Sequence, residues 1–579
     1  MTKVHWSIFA LLLFLSGLAA CGANDDDDPG SGPGQAQDDD DDDSTADDAG
    51  DDDDDVTPPA IDWGSCPDYI QLDATMDAEC ATARLPLDYE KKNSKTIPVF
   101  LYRVSGSAAT KRGQVWFLQG GPGGSGADFA QLFQVYAAVY PDLDFYSLDH
   151  RGVGNSARLT CPQEEVEPFD YQGCAASLRD QWGDDLMAFS TTNAAYDVSV
   201  LIEAVRESGV PVYVYGGSYG TYWLQRLLQL SPQRIDGAIL DSICSPGFTK
   251  LDEYDPHFNE IGHQIMDTCA TDATCAEKLG TIDADPWTAL GKVYEKIDAG
   301  DLCLALGDVD RTLLREGLGL LETDYFLRVV IPSVIYRLNR CAPKDVLALN
   351  NLLTILEGKK KIITDPDKLA SDYTLGTSII LAELYGDTTY AEALNFVNQA
   401  YFSVDAGLLI GEIFDWGQWP IYPDDGYMNR WADTDVPLLM LNGDFDPQTT
   451  LSMATPAGEH FTGSAQTFVT VPYSPHGVIT GSPTPTAIAA YFENDLETFL
   501  TSTCGAQMIF DFLADPTGPV DTECLAAIPP LEFSGDSLVN QYMSLALYGT
   551  TDMWEGIPAG KRTAVPHFLP NPFAPRRWR

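Results

Sequence analysis

Between Ala81 and Ile243, short apolar runs of strand length alternate with longer stretches whose apolar residues recur at helical spacing. ARLPLDYE and KTIPVFLYRV read as an opening strand pair, QVWFLQGG and LDFYSLDHRG as buried strands, and NAAYDVSVLIEAVRES as a helix. VPVYVYGGS is the next strand, YGTYWLQRLLQL the next helix and IDGAILDSI a further strand. Strands this apolar need cover on both faces, so the alternation predicts an α/β class with a mostly parallel central sheet covered by helices. From roughly Cys244 to Asp435 strand signals nearly stop, and DPWTALGKVYEKI, TDYFLRVVIPSVIYRLNRC, DVLALNNLLTILE and AEALNFVNQAYF carry helical periodicity instead. The sheet pattern resumes in VPLLMLNGDFDP and QTFVTVPYSPHG, and a helix TAIAAYFENDLETFL follows. The chain thus divides into a first core segment at 60–244, an inserted helical cap at 245–435, a second core segment at 436–530 and a C-terminal extension at 531–579. No internal repeat is present.

The ends change the picture. The start, MTKVHWSIFALLLFLSGLAACGAN, has a basic residue at Lys3, an apolar stretch from Ile8 to Leu15 and small residues before Cys21. That stretch is too short to span a bilayer and reads as an export signal over 1–20. Leu18-Ala19-Ala20-Cys21 resembles the lipobox of bacterial lipoproteins, which implies lipidation at Cys21 and attachment to the bacterial cell envelope, at the outer membrane or cell surface. From Asn24 to Pro59 the chain carries 17 Asp among Gly, Pro, Ser, Ala and Gln, so 21–59 is expected to be an extended tether after the lipidated cysteine. The acidic runs lack the Gly-punctuated, alternating ligands of a calcium loop, and no metal is assigned to them.

The chain has 34 Lys and Arg against 86 Asp and Glu, a formal net charge of -52, which argues against nucleic acid as a partner because phosphate binding needs clustered cations. The closing PNPFAPRRWR is locally basic and reads either as a strap across the acidic body or as a loose end. Of the 12 cysteines, Cys21 is assigned to lipid. Close spacing and an exported chain suggest disulfides Cys66–Cys80, Cys161–Cys174, Cys269–Cys275 and Cys504–Cys524, with a longer Cys303–Cys341, leaving Cys244 as a buried thiol.

Candidate chemistry centres on YVYGGSYGTYWLQRL, where Gly216-Gly217-Ser218-Tyr219-Gly220 joins a strand to a helix. A turn that tight strains its central residue and presents a hydroxyl at the top of the sheet. A serine is a poor nucleophile near neutral pH and needs an imidazole to take its proton and a carboxylate to orient that imidazole. His476 follows the strand TFVTVPYSP, and Asp446 follows VPLLMLNG, with Asp444 as its rival in GDFDP. His257, His263, His460 and His567 lack a place after a late core strand, and His150 precedes the serine and suits a role in the fold. An oxyanion needs two fixed backbone donors. The amide of Tyr219 is one candidate, and the glycine-rich LQGGPGGSG supplies the other at Gly121, with Gly120 as its rival.

QGGPGGSG at 119–126, LDHRGVGNS at 148–156, GGSYGTY at 216–222, GDFDPQT at 443–449 and PHG at 475–477 resemble the proline iminopeptidase and tripeptidyl aminopeptidase family of serine exopeptidases. CATARLPLDY and the paired Thr191-Thr192 extend the resemblance, which runs from about Cys66 to Cys524 and is poor in the cap. It implies an α/β-hydrolase fold with a helical cap and an enzyme that cleaves one or a few residues from peptides with a free N-terminus. In that scheme Ser218 attacks, His476 is the base, Asp446 the acid, an acyl-enzyme forms, and neither metal nor organic cofactor takes part. Glu412 and Asp415, in GEIFDWGQWP, are acids beside aromatic residues that such a cap could turn toward a substrate ammonium, although a solvated or capping role is the plainer reading. The same triad serves esterases and lipases, and a third reading is a tethered surface-binding protein without catalysis. Dehalogenases and epoxide hydrolases share the architecture but use an aspartate where Ser218 stands.

Overall fold

In the computed structural model, the described residues are 57–555 apart from 68–69, 71–77, 166–168, 308 and 364–371. The expected signal, Cys21, nearly all of the Asp-rich tether and the basic tail lie outside the described residues. Nine strands form one sheet: β1 Gly64–Ser65, β2 Ala78–Pro86, β3 Thr96–Ser105, β4 Gly113–Leu118, β5 Leu143–Leu148, β6 Val212–Gly217, β7 Gly237–Asp241, β8 Leu438–Gly443 and β9 Gln466–Val471. Their order is β1-β2-β3-β5-β4-β6-β7-β8-β9. All pairings from β5 to β9 are parallel, and β1, β2 and β3 join as an antiparallel edge.

Every residue of β4, β5, β7 and β8 is buried, as strands covered on both faces require. The period of two sorts their side chains into separate cores. Val115, Phe117, Phe145, Tyr215, Ile239 and Leu441 pack on one face, while Trp116, Leu118, Tyr146, Val214, Leu240 and Met440 pack on the other. The sheet and the helices that wrap it are the α/β arrangement expected from the apolar alternation.

Between β7 and β8 the described residues form helices and turns only, among them Tyr254–Thr271, Arg311–Glu322, Ile331–Arg340, Tyr373–Glu383 and Ala406–Trp416. The helix Tyr373–Glu383 ties this insertion to the core at both ends. Just before it, the Asp372 amide donates to Gly123 O at 2.9 Å; at its end Glu383 pairs with Arg226 at 2.6 Å. The helix Leu538–Tyr548 packs on the insertion too, with Tyr548 OH 2.8 Å from Ser333 Oγ.

The run TAIAAYFENDLETFL, expected as a single helix, is two: Pro485–Glu493 and Leu496–Ser502. Asn494 adopts a left-handed conformation that ends the first, and Asp495 caps the second by accepting from the Thr498 amide. All five disulfides expected from spacing are formed, and Cys244 is buried and unpaired.

Candidate active site

β6 delivers Ser218 into a turn with φ 56° and ψ −128°, after which the helix Tyr219–Leu230 begins. A residue other than glycine or asparagine rarely adopts such a φ, at a cost of roughly 1–3 kcal/mol, and keeps it only where its surroundings impose it. The flanking glycines show what imposes it. A Cβ at Gly216 would stand 2.3 Å from Gly220 O, and one at Gly220 would stand 2.1 Å from Leu118 O. The Ser218 amide is fixed as well, donating to Asp241 O at 2.9 Å.

The glycine-rich loop lies directly against this turn. A Cβ at Gly120 would stand 2.8 Å from Ser218 Cβ and 3.3 Å from its Oγ. The Gly120 amide is already engaged, donating to Gln119 Oε1 at 2.8 Å. Among the described residues the amides of Gly121 and Tyr219 donate no hydrogen bond. The geometry therefore separates the two rival glycines: Gly121 retains a free donor and Gly120 does not.

Buried carboxylates hold the loop in place. Asp149 accepts from Ser125 Oγ at 2.6 Å, from the Gly126 amide at 3.0 Å and from the Asn155 amide at 2.8 Å. Asp128 accepts from Gln119 Nε2 at 3.3 Å; burial and the charge of Asp149 push its carboxyl up to about 7. Asp372 reaches in from the insertion, pairing with Arg158 and accepting from the Gly154 amide at 2.8 Å. Burial outweighs the pull of Arg158 and raises its carboxyl to about 6.

Asp446 and His476 meet at the C-terminal ends of β8 and β9. Asp446 Oδ2 accepts from His476 Nδ1 at 2.8 Å, and Oδ1 lies at 3.1 Å. Both side chains are buried. Asp446 also accepts from the Gln448 and Thr449 amides at 2.8 and 2.9 Å and from Thr449 Oγ1 at 2.8 Å, which fixes the carboxylate in place. Asp444, the rival acid, points elsewhere: its carboxylate accepts from the Tyr473 amide at 2.6 Å and ties the two loops together. Gly443 allows that approach, since a Cβ there would stand 2.0 Å from Ser474 O.

His476 Nε2 is buried and makes no hydrogen bond among the described residues, so no direct bond joins it to Ser218 Oγ. His150 hydrogen-bonds through Nδ1 to Arg151 O at 2.6 Å, and burial pushes its pKa down to about 3, which leaves it neutral and structural. Glu412 and Asp415 face the surface, accepting from Tyr171 OH at 3.4 Å and from the Tyr390 amide at 3.2 Å. Among the described residues no group of three or more His, Cys, Asp or Glu is placed to hold a metal ion.

Two residues of the site were not singled out in the sequence. Thr449 was legible only as part of GDFDPQT. Asp241, in AILDSI, had a stronger signal: a charged residue at the carboxyl end of an otherwise apolar strand, where parallel sheets gather their ligands.

The described alpha/beta hydrolase fold matches residues 115–271, and a TAP-like protein family matches residues 414–497. The chain is 30% identical over 216 residues to the tripeptidyl aminopeptidases of Streptomyces coelicolor and Streptomyces lividans. Those alignments take in 33% of this chain and 39% and 40% of the two relatives, so the chain spans about two fifths of their length. A carboxyl esterase structure from Bacillus coagulans is 14% identical, covering 69% of this chain and 92% of that one at a TM-score of 0.28. With its parallel sheet, its serine turn after β6 and the match over residues 115–271, the chain has an α/β-hydrolase fold, and over residues 414–497 it is similar to the TAP-like proteins.

Proposed function

We propose that the protein is a serine exopeptidase that releases one or a few residues from the free N-termini of peptides. The observation that carries this reading is the buried Asp446–His476 pair, with Nδ1 held at 2.8 Å and Nε2 left without a partner among the described residues. An imidazole held through Nδ1 keeps its proton there and offers Nε2 as a base. Ser218 Oγ attacks the scissile carbonyl as Nε2 takes its proton, and the carbonyl oxygen becomes an oxyanion received by the amides of Tyr219 and Gly121. His476 then protonates the leaving amine, leaving an acyl-enzyme on Ser218. Water, deprotonated by His476, cleaves the ester and restores the serine. Each oxyanion donor contributes about 10²–10³ in rate in comparable hydrolases.

The matching relatives are tripeptidyl aminopeptidases, which supports an N-terminal peptidase over an esterase. Purified protein and its Ser218→Ala variant, assayed on fluorogenic substrates bearing proline, alanine, a tripeptide or a simple ester, test the reading. Release from free-amine peptides, blocked by N-acetylation and lost in Ser218→Ala, is expected. Turnover of the ester alone would make the protein an esterase, and turnover of nothing would favour the binding-protein reading.

For its location, the proposal is export and lipid anchoring through Cys21 to the bacterial envelope, supported by the small residues before the cysteine and the Asp-rich stretch after it. Incorporation of labelled fatty acid in the producing cell, lost in Cys21→Ala, is the expected result; equal labelling of both would refute it.

A further inference from the structure

We infer that Asp241 is a positioning residue that holds the His476 loop in register with the Ser218 turn, an inference that rests on the serine hydrolase reading above. Asp241 is the last residue of β7, which lies between the strand that leads into Ser218 and the strand that leads into Asp446. It is fully buried. Its peptide oxygen accepts the Ser218 N–H at 2.9 Å. Its carboxylate accepts from the two amides that begin the segment after His476 and Gly477, Val478 at 2.7 Å on Oδ1 and Ile479 at 2.8 Å on Oδ2. Tyr215 OH donates to Oδ2 at 2.8 Å, and Ser242 Oγ donates to Oδ1 at 3.1 Å.

Ser242 completes the arrangement. Its φ of 60° turns the chain sharply after β7, and its Oγ accepts the Gly477 amide at 2.8 Å while its own amide donates to Leu441 O at 2.9 Å. Three successive amides after His476 are therefore captured by one dipeptide, which also binds the backbone of the nucleophile and of the strand that leads to Asp446. Among the described residues no Lys or Arg pairs with Asp241. A buried carboxylate without a countercharge is costly unless donors surround it, and here four donors do so. Replacing it with an apolar residue would leave the Val478 and Ile479 amides buried and unpaired.

The arrangement matters because the reactive atoms of Ser218 and His476 share no hydrogen bond in this structure, while Asp241 bonds to both segments. The relative placement of the two loops is set through Asp241. It touches no reacting atom, so its effect falls on the geometry of proton transfer rather than on substrate binding. Misplacing a catalytic group by about 1 Å can cost roughly 10²-fold.

The test compares wild type, Asp241→Ala, Asp241→Asn, Ser242→Ala and Ser218→Ala as full chains on one free-amine peptide substrate, with the folded fraction of each measured by circular dichroism and thermal melting. Per folded molecule, Asp241→Ala is expected to lower kcat roughly 10²-fold with KM within about threefold of wild type. Asp241→Asn retains one acceptor oxygen and should recover part of the loss, and Ser242→Ala, which releases Gly477 and removes one of the four donors to Asp241 but leaves Val478 and Ile479 held, should lose less. Should Asp241→Ala fail to fold, the other two variants decide. Wild-type kcat per folded molecule in both Asp241→Asn and Ser242→Ala would overturn the inference, as would losses that appear in KM alone. Activity that persists in Ser218→Ala would instead overturn the hydrolase reading, whatever the Asp241 variants do.

Discussion

Asp128 and Asp149 stand close together at the glycine-rich loop, and the charge of Asp149 adds to burial in keeping Asp128 protonated. Its carboxyl is raised from 3.8 to about 7, so between those pH values the folded protein holds a proton that the unfolded chain has released. Stability from this group is therefore full below pH 3.8, declines as pH rises toward 7 and is flat beyond. Asp128→Asn removes that slope: its melting temperature should gain on wild type as pH rises from 4 to 8, and identical profiles would contradict the assignment. At the neighbouring glycine, φ is 114° and a Cβ would stand 2.8 Å from Gly123 N, so Gly121→Ala must move the loop. About 10²–10³ loss in kcat is expected from displacing that donor, read in steady-state kinetics. The placement of Ser218, Asp446 and His476 at the ends of β6, β8 and β9 was legible because each follows an apolar strand in the sequence. The choice between Asp446 and Asp444 was not, since what separates them is the Tyr473 amide, 29 residues further on.

The strands were readable because residues buried on both faces leave unbroken apolar runs, and the inserted helices because their period is 3.6 rather than 2. Where the insertion sits was not readable. Its contacts with the core, Asp372 to Gly123 and Glu383 to Arg226, join positions far apart in sequence and leave no local pattern. Glu383 also accepts from Tyr222 OH at 2.8 Å and Tyr422 OH at 2.7 Å, so one carboxylate unites the insertion with the helix that follows Ser218. Removing it takes from Arg226, 2% exposed, its 2.6 Å carboxylate and leaves the more distant Asp425, at 3.8 Å. Breaking a buried pair from one side costs about 3–5 kcal/mol. Glu383→Ala should therefore lose that much in denaturant unfolding, and Glu383→Ala with Arg226→Met should recover much of it; equal losses in the single and double variants would show that the pair itself is not the cause.

Five disulfides distribute over the whole described molecule, and the Cys303–Cys341 bridge spans 38 residues within the insertion. A loop of that length constrains the unfolded chain by roughly 4 kcal/mol in the chain-entropy treatment. Cys303→Ser with Cys341→Ser should lower the stability of the insertion by up to that amount, measured by denaturant unfolding of the oxidised protein, and no change would mean that the bridge is not formed in solution. Cysteine spacing made the pairs legible, because short separations leave few alternatives. In the proposed function, Ser218 and the Asp446–His476 pair remove residues from peptide N-termini. It is tested most directly by incubating the purified protein with a ten-residue peptide and its N-acetylated twin and following the products by mass spectrometry. Stepwise loss from the free N-terminus, an intact acetylated twin and no products with Ser218→Ala are expected. Internal fragments from both peptides, or no cleavage of either while a simple ester is hydrolysed, would contradict it.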